Sequence, residues 1–404
     1  MKDFSKLWHS LQSGKNQVNN CQDNDSAAKN ILCVGLGWFP TNPGGLDRYV
    51  YELTHHLALG QDTVELCGVG LPENSPKSLI KLTNLAQPDS PIWKRFWDSR
   101  RNFLSREAAT PDAINLHFAL YSLPLLNILP DRVPITFNFH GPWALESKQE
   151  GVGKISVFLK HWLVEKRVFQ RCDRFIVLSQ AFGNILHQEY QVPWNKIHII
   201  PGGVDLVSFQ PNLSRQQARE QLNWPQDRKI LFTPRRLVHR MGLDKLLTAL
   251  AKIKPKFPDV WLSVAGRGPI KTLLEQQATE LGLNDHVKFL GFLPDDQLPI
   301  AYQAADLTVM PSQTLEGFGL VLVESLACGT PTLCTPVGGM PEVITPFSSN
   351  LITSSASAEA IAEKLEQVLK GEVSIPSRIA CREYAATNFD WHKIAQQVRQ
   401  VLLA

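Results

Sequence analysis

The sequence predicts an α/β protein of two doubly wound, Rossmann-like domains, each built around a parallel β-sheet. Three observations support this fold class. The chain has 404 residues, too many for one ordinary core. From residue 31 onward, continuous apolar runs alternate with longer amphipathic segments, which is typical of parallel strands buried on both faces. This alternation occurs twice, separated by a Gly- and Pro-containing segment at 198–211 that we interpret as the hinge.

The apolar runs predict two series of strands. The first series is 31–37, 62–70, 113–118, 133–139 and 174–179. The second series is 229–234, 261–266, 287–292, 307–312 and 331–335. The amphipathic segments predict helices over 44–59, 154–171, 180–190, 242–254, 270–282 and 317–328.

Four segments follow from this pattern. We expect a polar, disordered tail at 1–29, a first domain at 30–205 and a second domain at 206–377. A C-terminal helix at 378–404 is expected to pack back on the first domain.

Composition excludes several classes of protein. Hydrophobic residues make up 44% and charged residues 20%, which is near the average for globular proteins. The net charge of +3 includes no basic domain, so we expect no nucleic acid partner. The seven cysteines are scattered without a Cys-x-x-Cys pair, which indicates a reducing compartment. With no signal peptide and no apolar span in the sequence, we expect a cytoplasmic protein, at most peripheral on the inner face of the membrane.

Two motifs in the first half lie where parallel sheets bind ligands. Gly44 and Gly45 precede a helix whose free amides suit an anion, although a tight turn explains the pair equally well. The sequence is not G-x-G-x-x-G, because Pro40 interrupts it. His140 follows the strand at 133–139 and is either a ligand-binding or a structural histidine.

Two motifs in the second half suit a phosphorylated ligand. Arg235, Arg236 and Arg240 follow a strand and either bind phosphate or form a solvated basic loop. Glu316 and Glu324 flank a predicted helix start near Gly319, where carboxylates can bind hydroxyl pairs beside an anion. Together these groups are typical of a nucleotide-sugar site, whereas the two glutamates alone are equally explained as one loop residue and one surface residue.

The order of these motifs over 30–403 resembles the retaining glycosyltransferases of family 4, which have the GT-B fold of two Rossmann-like domains facing across a cleft. The resemblance is most specific over 261–344 and assigns roles residue by residue. Glu324 corresponds to the carboxylate that holds the donor ribose, and Glu316 to the one that holds the transferred sugar. The remaining assignments are His140 at the reaction centre, Arg236 and Gly45 at the phosphates, Phe318, Gly319 and Leu320 as backbone donors, and Gly266 and Phe292 in the donor site.

One position departs from the family pattern. Met241 stands where the family usually has a lysine, just before Gly242. We expect Arg240 or Arg235 to supply the missing charge.

The resemblance implies retaining transfer of a hexose from a UDP-, GDP- or ADP-sugar to a saccharide or lipid-linked acceptor, in polysaccharide or glycolipid biosynthesis. No cofactor or metal is implied, since arginines and amides can stabilise the departing phosphate. The sequence leaves two alternatives open: a nucleotide-sugar epimerase of the same fold, and a non-catalytic protein that binds sugar nucleotides or a partner enzyme.

The segment 91–107 has its own two interpretations. Its tryptophans and other apolar residues share a helical stripe, while basic side chains face elsewhere. Such a helix either contacts an anionic membrane or covers the core of its own domain.

Overall fold

The computed structural model describes residues 27–39, 41, 44–72, 79–107 and 109–404. It contains two parallel sheets, of seven and five strands, each flanked by helices. The predicted fold class of two doubly wound domains is therefore confirmed. The predicted disordered tail at 1–29 lies outside the described residues apart from 27–29.

The first sheet has the strand order β3-β2-β1-β4-β5-β6-β7. Its strands are β1 (Asn30–Val34), β2 (Thr63–Val69), β3 (Lys81–Ala86), β4 (Ala113–Leu116), β5 (Ile135–Phe139), β6 (Arg174–Val177) and β7 (Ile197–Ile199). Sequence reasoning missed β3 and β7, the two edge strands. An edge strand is covered on one side only, so it lacks the continuous apolar run of a central strand. Because β7 occupies the start of 198–211, the predicted hinge was too long at that end.

The second sheet has the order β10-β9-β8-β11-β12. Its strands are β8 (Lys229–Pro234), β9 (Val260–Ala265), β10 (Val287–Gly291), β11 (Leu307–Met310) and β12 (Thr332–Cys334). Each coincides with a predicted apolar run. The buried residues of this domain form one continuous core around the sheet.

Helices cover both sheets. In the first domain they are α1 (Gly45–Leu59), α2 (Ile92–Leu104), α3 (Ala119–Ser122), α4 (Trp143–Gln149), α5 (Lys154–Leu159), α6 (Lys166–Gln170) and α7 (Gln180–Tyr190). A π-helical segment, Lys160–Glu165, joins α5 to α6, so the helix predicted at 154–171 is not regular throughout. In the second half they are α8 (Arg215–Leu222), α9 (Leu243–Ile253), α10 (Lys271–Glu280), α11 (Leu298–Ala304), α12 (Leu320–Ala327), α13 (Met340–Ser348), α14 (Ala358–Leu369), α15 (Arg378–Asn388) and α16 (Trp391–Leu403). No helix among the described residues is long and apolar enough to cross a membrane.

The C-terminal segment differs from the single helix predicted at 378–404. It forms α15, which packs on α12 of the second domain, and α16, which packs on α1 of the first. Asp390 caps α16 by accepting a hydrogen bond from the His392 amide at 3.0 Å, and this cap separates the two helices. The chain therefore crosses between the domains a second time near residue 390.

The first crossing is tightly packed at its glycines. A Cβ on Gly202 would lie 2.8 Å from Leu320 Cδ2, and one on Gly203 would lie 2.5 Å from Trp391. Any side chain at these positions would push the crossing away from α12 and α16. Both glycines are thus required by close approach at the crossing that the sequence predicted as the hinge.

Candidate active site

The second domain presents a loop and a helix start at the carboxyl end of its sheet. β11 ends at Met310, and the loop carries Glu316 before α12 begins at Leu320. Gly319 lies in the left-handed region with φ of 88°, which favours glycine. A Cβ on Gly338 would lie 1.8 Å from the Glu316 carbonyl oxygen, so glycine there lets the loop pack. The first amides of α12 have no helical partners and can bind an anion.

Glu316 is paired with Arg235. The Arg235 guanidinium donates to the carboxylate of Glu316 and to the Ser312 hydroxyl, and Ser312 Oγ lies 3.3 Å from Glu316 Oε2. Gly266 makes this arrangement possible, because a Cβ there would lie 1.8 Å from the Arg235 carbonyl oxygen. Arg235 therefore neutralises Glu316 in this structure, and Gly266 shapes the backbone beside it.

Arg236 and Arg240 differ in their surroundings. The Arg236 side chain is 59% exposed and lies 3.6 Å from Glu150, whereas that of Arg240 is only 8% exposed. Arg240 donates to the Leu315 carbonyl oxygen at 3.1 Å, which fixes it beside the Glu316 loop. Met241 is buried, so its apolar side chain does not replace the charge of the missing lysine. Of the two replacements considered for the missing lysine, Arg240 is the one without a partner carboxylate from its own domain.

A carboxylate of the first domain reaches the same place. Glu146, on α4, lies 3.3 Å from an Arg240 Nη atom across the cleft. A Cβ on Gly141, next to His140, would lie 3.0 Å from Glu146 Oε1, so the carboxylate also adjoins the predicted reaction centre. Burial raises the pKa of Glu146, and the nearby Arg240 and Arg236 oppose that shift. Sequence reasoning missed Glu146; its position six residues after His140, in the first turn of a helix, was the available signal.

Glu146→Gln is expected to tighten the binding of UDP or GDP by about three- to tenfold, because a negative charge beside the arginines would be removed. Isothermal titration with each nucleoside diphosphate measures the change. Glu150→Gln serves as the comparison and should have a smaller effect, since Glu150 is more exposed. Weaker binding by Glu146→Gln would show that this carboxylate supports the nucleotide site instead of competing with it.

Glu324 is also paired across the cleft. On α12, it accepts a hydrogen bond from the Tyr302 hydroxyl at 2.8 Å and one from Arg48 Nη1 at 3.3 Å. Arg48, on α1, also forms an ion pair with Asp295. Ribose hydroxyls that bind Glu324 must therefore displace Arg48 or share the carboxylate with it. Neither Arg48 nor Tyr302 was identified from the sequence.

The starts of two helices lie close together, one from each domain. A Cβ on Gly45, the first residue of α1, would lie 3.8 Å from Leu320 Cδ1 at the start of α12. The positive ends of both helix dipoles are therefore near one another, which favours an anion between them. This is where the resemblance places the donor phosphates.

His140 is paired with a second histidine that the sequence analysis did not single out. His117 Nδ1 lies 3.1 Å from His140 Nε2, and Tyr49 packs edge-on against His140 at 4.7 Å between ring centroids. Burial lowers the pKa of His140 to about 3 and also lowers that of His117. Both rings are thus expected to be neutral at physiological pH, so that one imidazole can donate to the other.

The neutral pair predicts acid sensitivity of the fold. An unfolded histidine has a pKa near 6.5, so below that pH the unfolded chain binds more protons than the folded one, and stability falls as pH falls toward 3. For His140 we expect a loss of about 1–2 kcal/mol between pH 7 and pH 5. Urea unfolding of His140→Gln at both values should show a smaller loss than wild type, whereas the exposed His239→Gln should not. Equal losses of unfolding free energy between pH 7 and pH 5 in all three proteins would contradict a neutral His117–His140 pair.

The two aromatic residues assigned to the donor site differ in exposure. Phe318 is buried and packs edge-on against Phe389, so only its backbone can face a ligand. Phe292 is partly exposed and follows the edge strand β10, with the Arg267 guanidinium 5.1 Å from its ring centroid. The contacts above join the glutamates, the arginines, Gly45 and the start of α12 at one cleft, and Glu146 brings His140 beside it through Gly141. Phe292 takes part in none of them.

Two family models match the chain on either side of the domain crossing. Residues 43–208 match Glycosyltransferase Family 4, and residues 214–388 match Glycosyl transferases group 1. The chain belongs to the family 4 glycosyltransferases. The resemblance inferred from the glutamate, arginine and glycine motifs is therefore confirmed, and the family's fold is the one observed.

Similar proteins agree with this family. The D-inositol 3-phosphate glycosyltransferase of Mycolicibacterium smegmatis is 36% identical over 233 residues, 56% of this chain and 52% of that protein. A GDP-mannose-dependent α-(1-6)-phosphatidylinositol monomannoside mannosyltransferase of the same species is 30% identical over 211 residues, 50% of this chain and 55% of that protein. These alignments span little more than half the length of the curated relatives. Sucrose-phosphate synthase of Thermosynechococcus elongatus has a similar fold, with a TM-score of 0.78 and 24% identity, covering 92% of this chain and 98% of that one.

Proposed function

We propose that this glycosyltransferase moves a hexose from a UDP-, GDP- or ADP-sugar to a saccharide or lipid-linked acceptor with retention of anomeric configuration. The observation that carries the proposal is the position of Glu316 and Glu324 on either side of the α12 start, with Arg236 3.6 Å from Glu150 of the opposite domain. A relative whose name specifies GDP-mannose and a phosphatidylinositol acceptor supports a nucleotide-sugar donor and a lipid-linked acceptor.

The donor would be held by charge and by hydroxyl recognition. Glu324 would accept hydrogen bonds from the ribose hydroxyls, and Glu316 from hydroxyls of the transferred sugar. Arg236, Arg240 and the first amides of α12 would bind the diphosphate. Backbone amides and guanidiniums are fixed before the reaction, so they stabilise charge without reorganisation.

The reaction breaks the bond between the anomeric carbon and the diphosphate oxygen. Negative charge develops on that oxygen, where Arg236 and the α12 amides lower the barrier. The acceptor hydroxyl would attack on the same face and give its proton to a phosphate oxygen, which retains the configuration. Since guanidiniums and amides provide the charge stabilisation, we propose that transfer needs no metal.

The acceptor would approach along the first domain. In α2, within the segment 91–107, Phe103 is buried whereas Trp93, Trp97 and Leu104 are exposed. The apolar stripe predicted there therefore divides between core packing and a free surface. Exposed tryptophans beside Arg101 suit an anionic membrane on the cytoplasmic side, and hence a role in glycolipid or polysaccharide synthesis.

The proposal is tested by incubating the full chain with a panel of UDP-, GDP- and ADP-sugars, with and without saccharide and lipid acceptors. Release of nucleoside diphosphate that rises with an acceptor, together with a retained anomeric product, is the expected result. Release of a changed free sugar without any acceptor would indicate an epimerase. Nucleotide binding without turnover against any acceptor would indicate a non-catalytic protein.

A further inference from the structure

The first domain carries an apolar helical face that is directed at solvent. Along α5 and the π-helical segment, five large apolar side chains are between 44% and 78% exposed. Their spacing follows one helical face, and we call them the outer stripe: Ile155, Phe158, Leu159, Trp162 and Leu163. A surface helix ordinarily turns such a face toward the core, so exposure of all five residues needs a cause.

The cause is a polar anchor on the opposite side of the helix. Glu165 is buried and accepts hydrogen bonds from the Tyr190 hydroxyl at 2.9 Å and the Ala144 amide at 3.3 Å. Val168 and Phe169, just after it, are buried in the core of the domain. Because a buried carboxylate must keep its partners, these contacts fix the rotation of the helix. The outer stripe is therefore held outward by the structure of the domain itself.

Basic side chains border the outer stripe. Lys154, Lys166 and Arg167 lie in the same helical run, in which Glu165 is the one acidic residue and is buried. Lys160 of this run instead donates to the Ser147 hydroxyl of α4 at 2.7 Å. The Lys166 ammonium lies 4.1 Å from the Trp162 ring centroid, so the charges adjoin the apolar surface directly. Two copies of this face would repel each other, and an anionic partner would be attracted.

The π-helical segment, which carries Trp162 and Leu163, and α2 both contact α3. The π-helical segment contacts α3, and Arg95 of α2 donates to the hydroxyl of Tyr121 in α3 at 2.5 Å. The same stretch of chain begins just after α4, whose Glu146 reaches the cleft.

We propose that the outer stripe inserts into the headgroup region of an anionic lipid bilayer. Tryptophan and large aliphatic residues bordered by lysine and arginine are the composition of helices that lie in a membrane interface. A bilayer is also broad enough to contact both the stripe and the exposed tryptophans of α2, since both elements contact the short helix α3. This proposal concerns binding alone and holds whether or not sugar transfer is demonstrated.

Vesicle flotation with the full chain tests it. The vesicles are phosphatidylcholine alone, or phosphatidylcholine and phosphatidylglycerol in equal parts, at low and high salt. We expect binding to the anionic vesicles only, weakened by salt. The double variant Phe158→Ser/Trp162→Ser should bind at least about tenfold more weakly, because it removes both aromatic side chains of the five-residue stripe.

A matched double variant, Val207→Ser/Leu273→Ser, removes exposed apolar residues that lie outside the stripe and should bind as wild type does. Thermal unfolding checks that both variants remain folded, as expected for exposed positions. Equal binding by wild type and Phe158→Ser/Trp162→Ser, or no binding by wild type, would overturn the proposal. Loss of binding only in Trp93→Ser/Trp97→Ser would assign the contact to α2 instead. A wild-type dimer in sedimentation that the stripe variant abolishes would show that a second copy covers the stripe.

Discussion

Replacing Arg236 by alanine is expected to lower turnover by about 10²–10³-fold, because the departing diphosphate would lose a positioned cation. The side chain is largely exposed and lies 3.6 Å from Glu150, so it can turn toward a donor. Its removal should therefore leave the free energy of unfolding nearly unchanged. Steady-state kinetics with the donor identified in the panel measure the effect on kcat.

Two control variants separate the specific role of the Arg236 guanidinium from the effect of removing any positive charge. Arg236→Lys keeps the charge without the planar pair of donors and should recover part of the loss. The exposed Arg132→Ala, in the segment before β5, should have wild-type kinetics. If EDTA abolishes wild-type activity and magnesium restores it, or if Arg236→Ala has near-normal turnover, the guanidinium does not replace a metal ion.

Replacing Glu324 by alanine is expected to weaken nucleoside diphosphate binding by about 10- to 150-fold, the effect of losing a charge-assisted hydrogen bond worth about 1.5–3 kcal/mol. Because the ribose is bound alike in substrate and transition state, the Michaelis constant for the donor should rise more than kcat falls. Titration with the nucleoside diphosphate measures affinity directly.

The structure supplies a control that the sequence did not. Glu324 is buried and paired with Tyr302 and Arg48, so Glu324→Ala also leaves polar groups without partners. Glu324→Gln preserves the shape of the side chain and its hydrogen bond from Tyr302. Thermal unfolding of both variants measures how much of the effect of Glu324→Ala comes from lost stability. In Arg48→Met the carboxylate loses its competitor, and we expect equal or tighter binding. Unchanged affinity in Glu324→Gln would remove this residue from the ribose site.

Ion pairs across the cleft connect these predictions. Glu324 is held by Arg48, and Arg240 by Glu146, so in both pairs a residue that the donor would use is bound by the opposite domain. A donor must break or share these contacts, which lowers its apparent affinity. Removing the charge of Arg48 or Glu146 should therefore tighten donor binding, whereas removing that of Glu324 or Arg236 should weaken it.

Sequence alone determined the central strands of the two sheets, a helix start near Gly319 and the family. These depend on local patterns: continuous apolar runs identify central strands, and glycine marks the left-handed residue before α12. The spacing of Glu316 and Glu324 also lies within one segment, so both were found without coordinates. Edge strands β3 and β7 were missed because burial on one side leaves no continuous apolar run.

Only the tertiary structure decided which charged groups meet. Arg48 and Glu324 are 276 residues apart, and their pairing depends on how the two domains face each other. His117 became relevant because β4 and β5 are neighbours in the sheet, which brings it to His140. The outer stripe shows the same limit, since periodicity defines an apolar face but not the direction in which it points. That direction was set by buried Glu165, whose partners come from two other segments of the first domain.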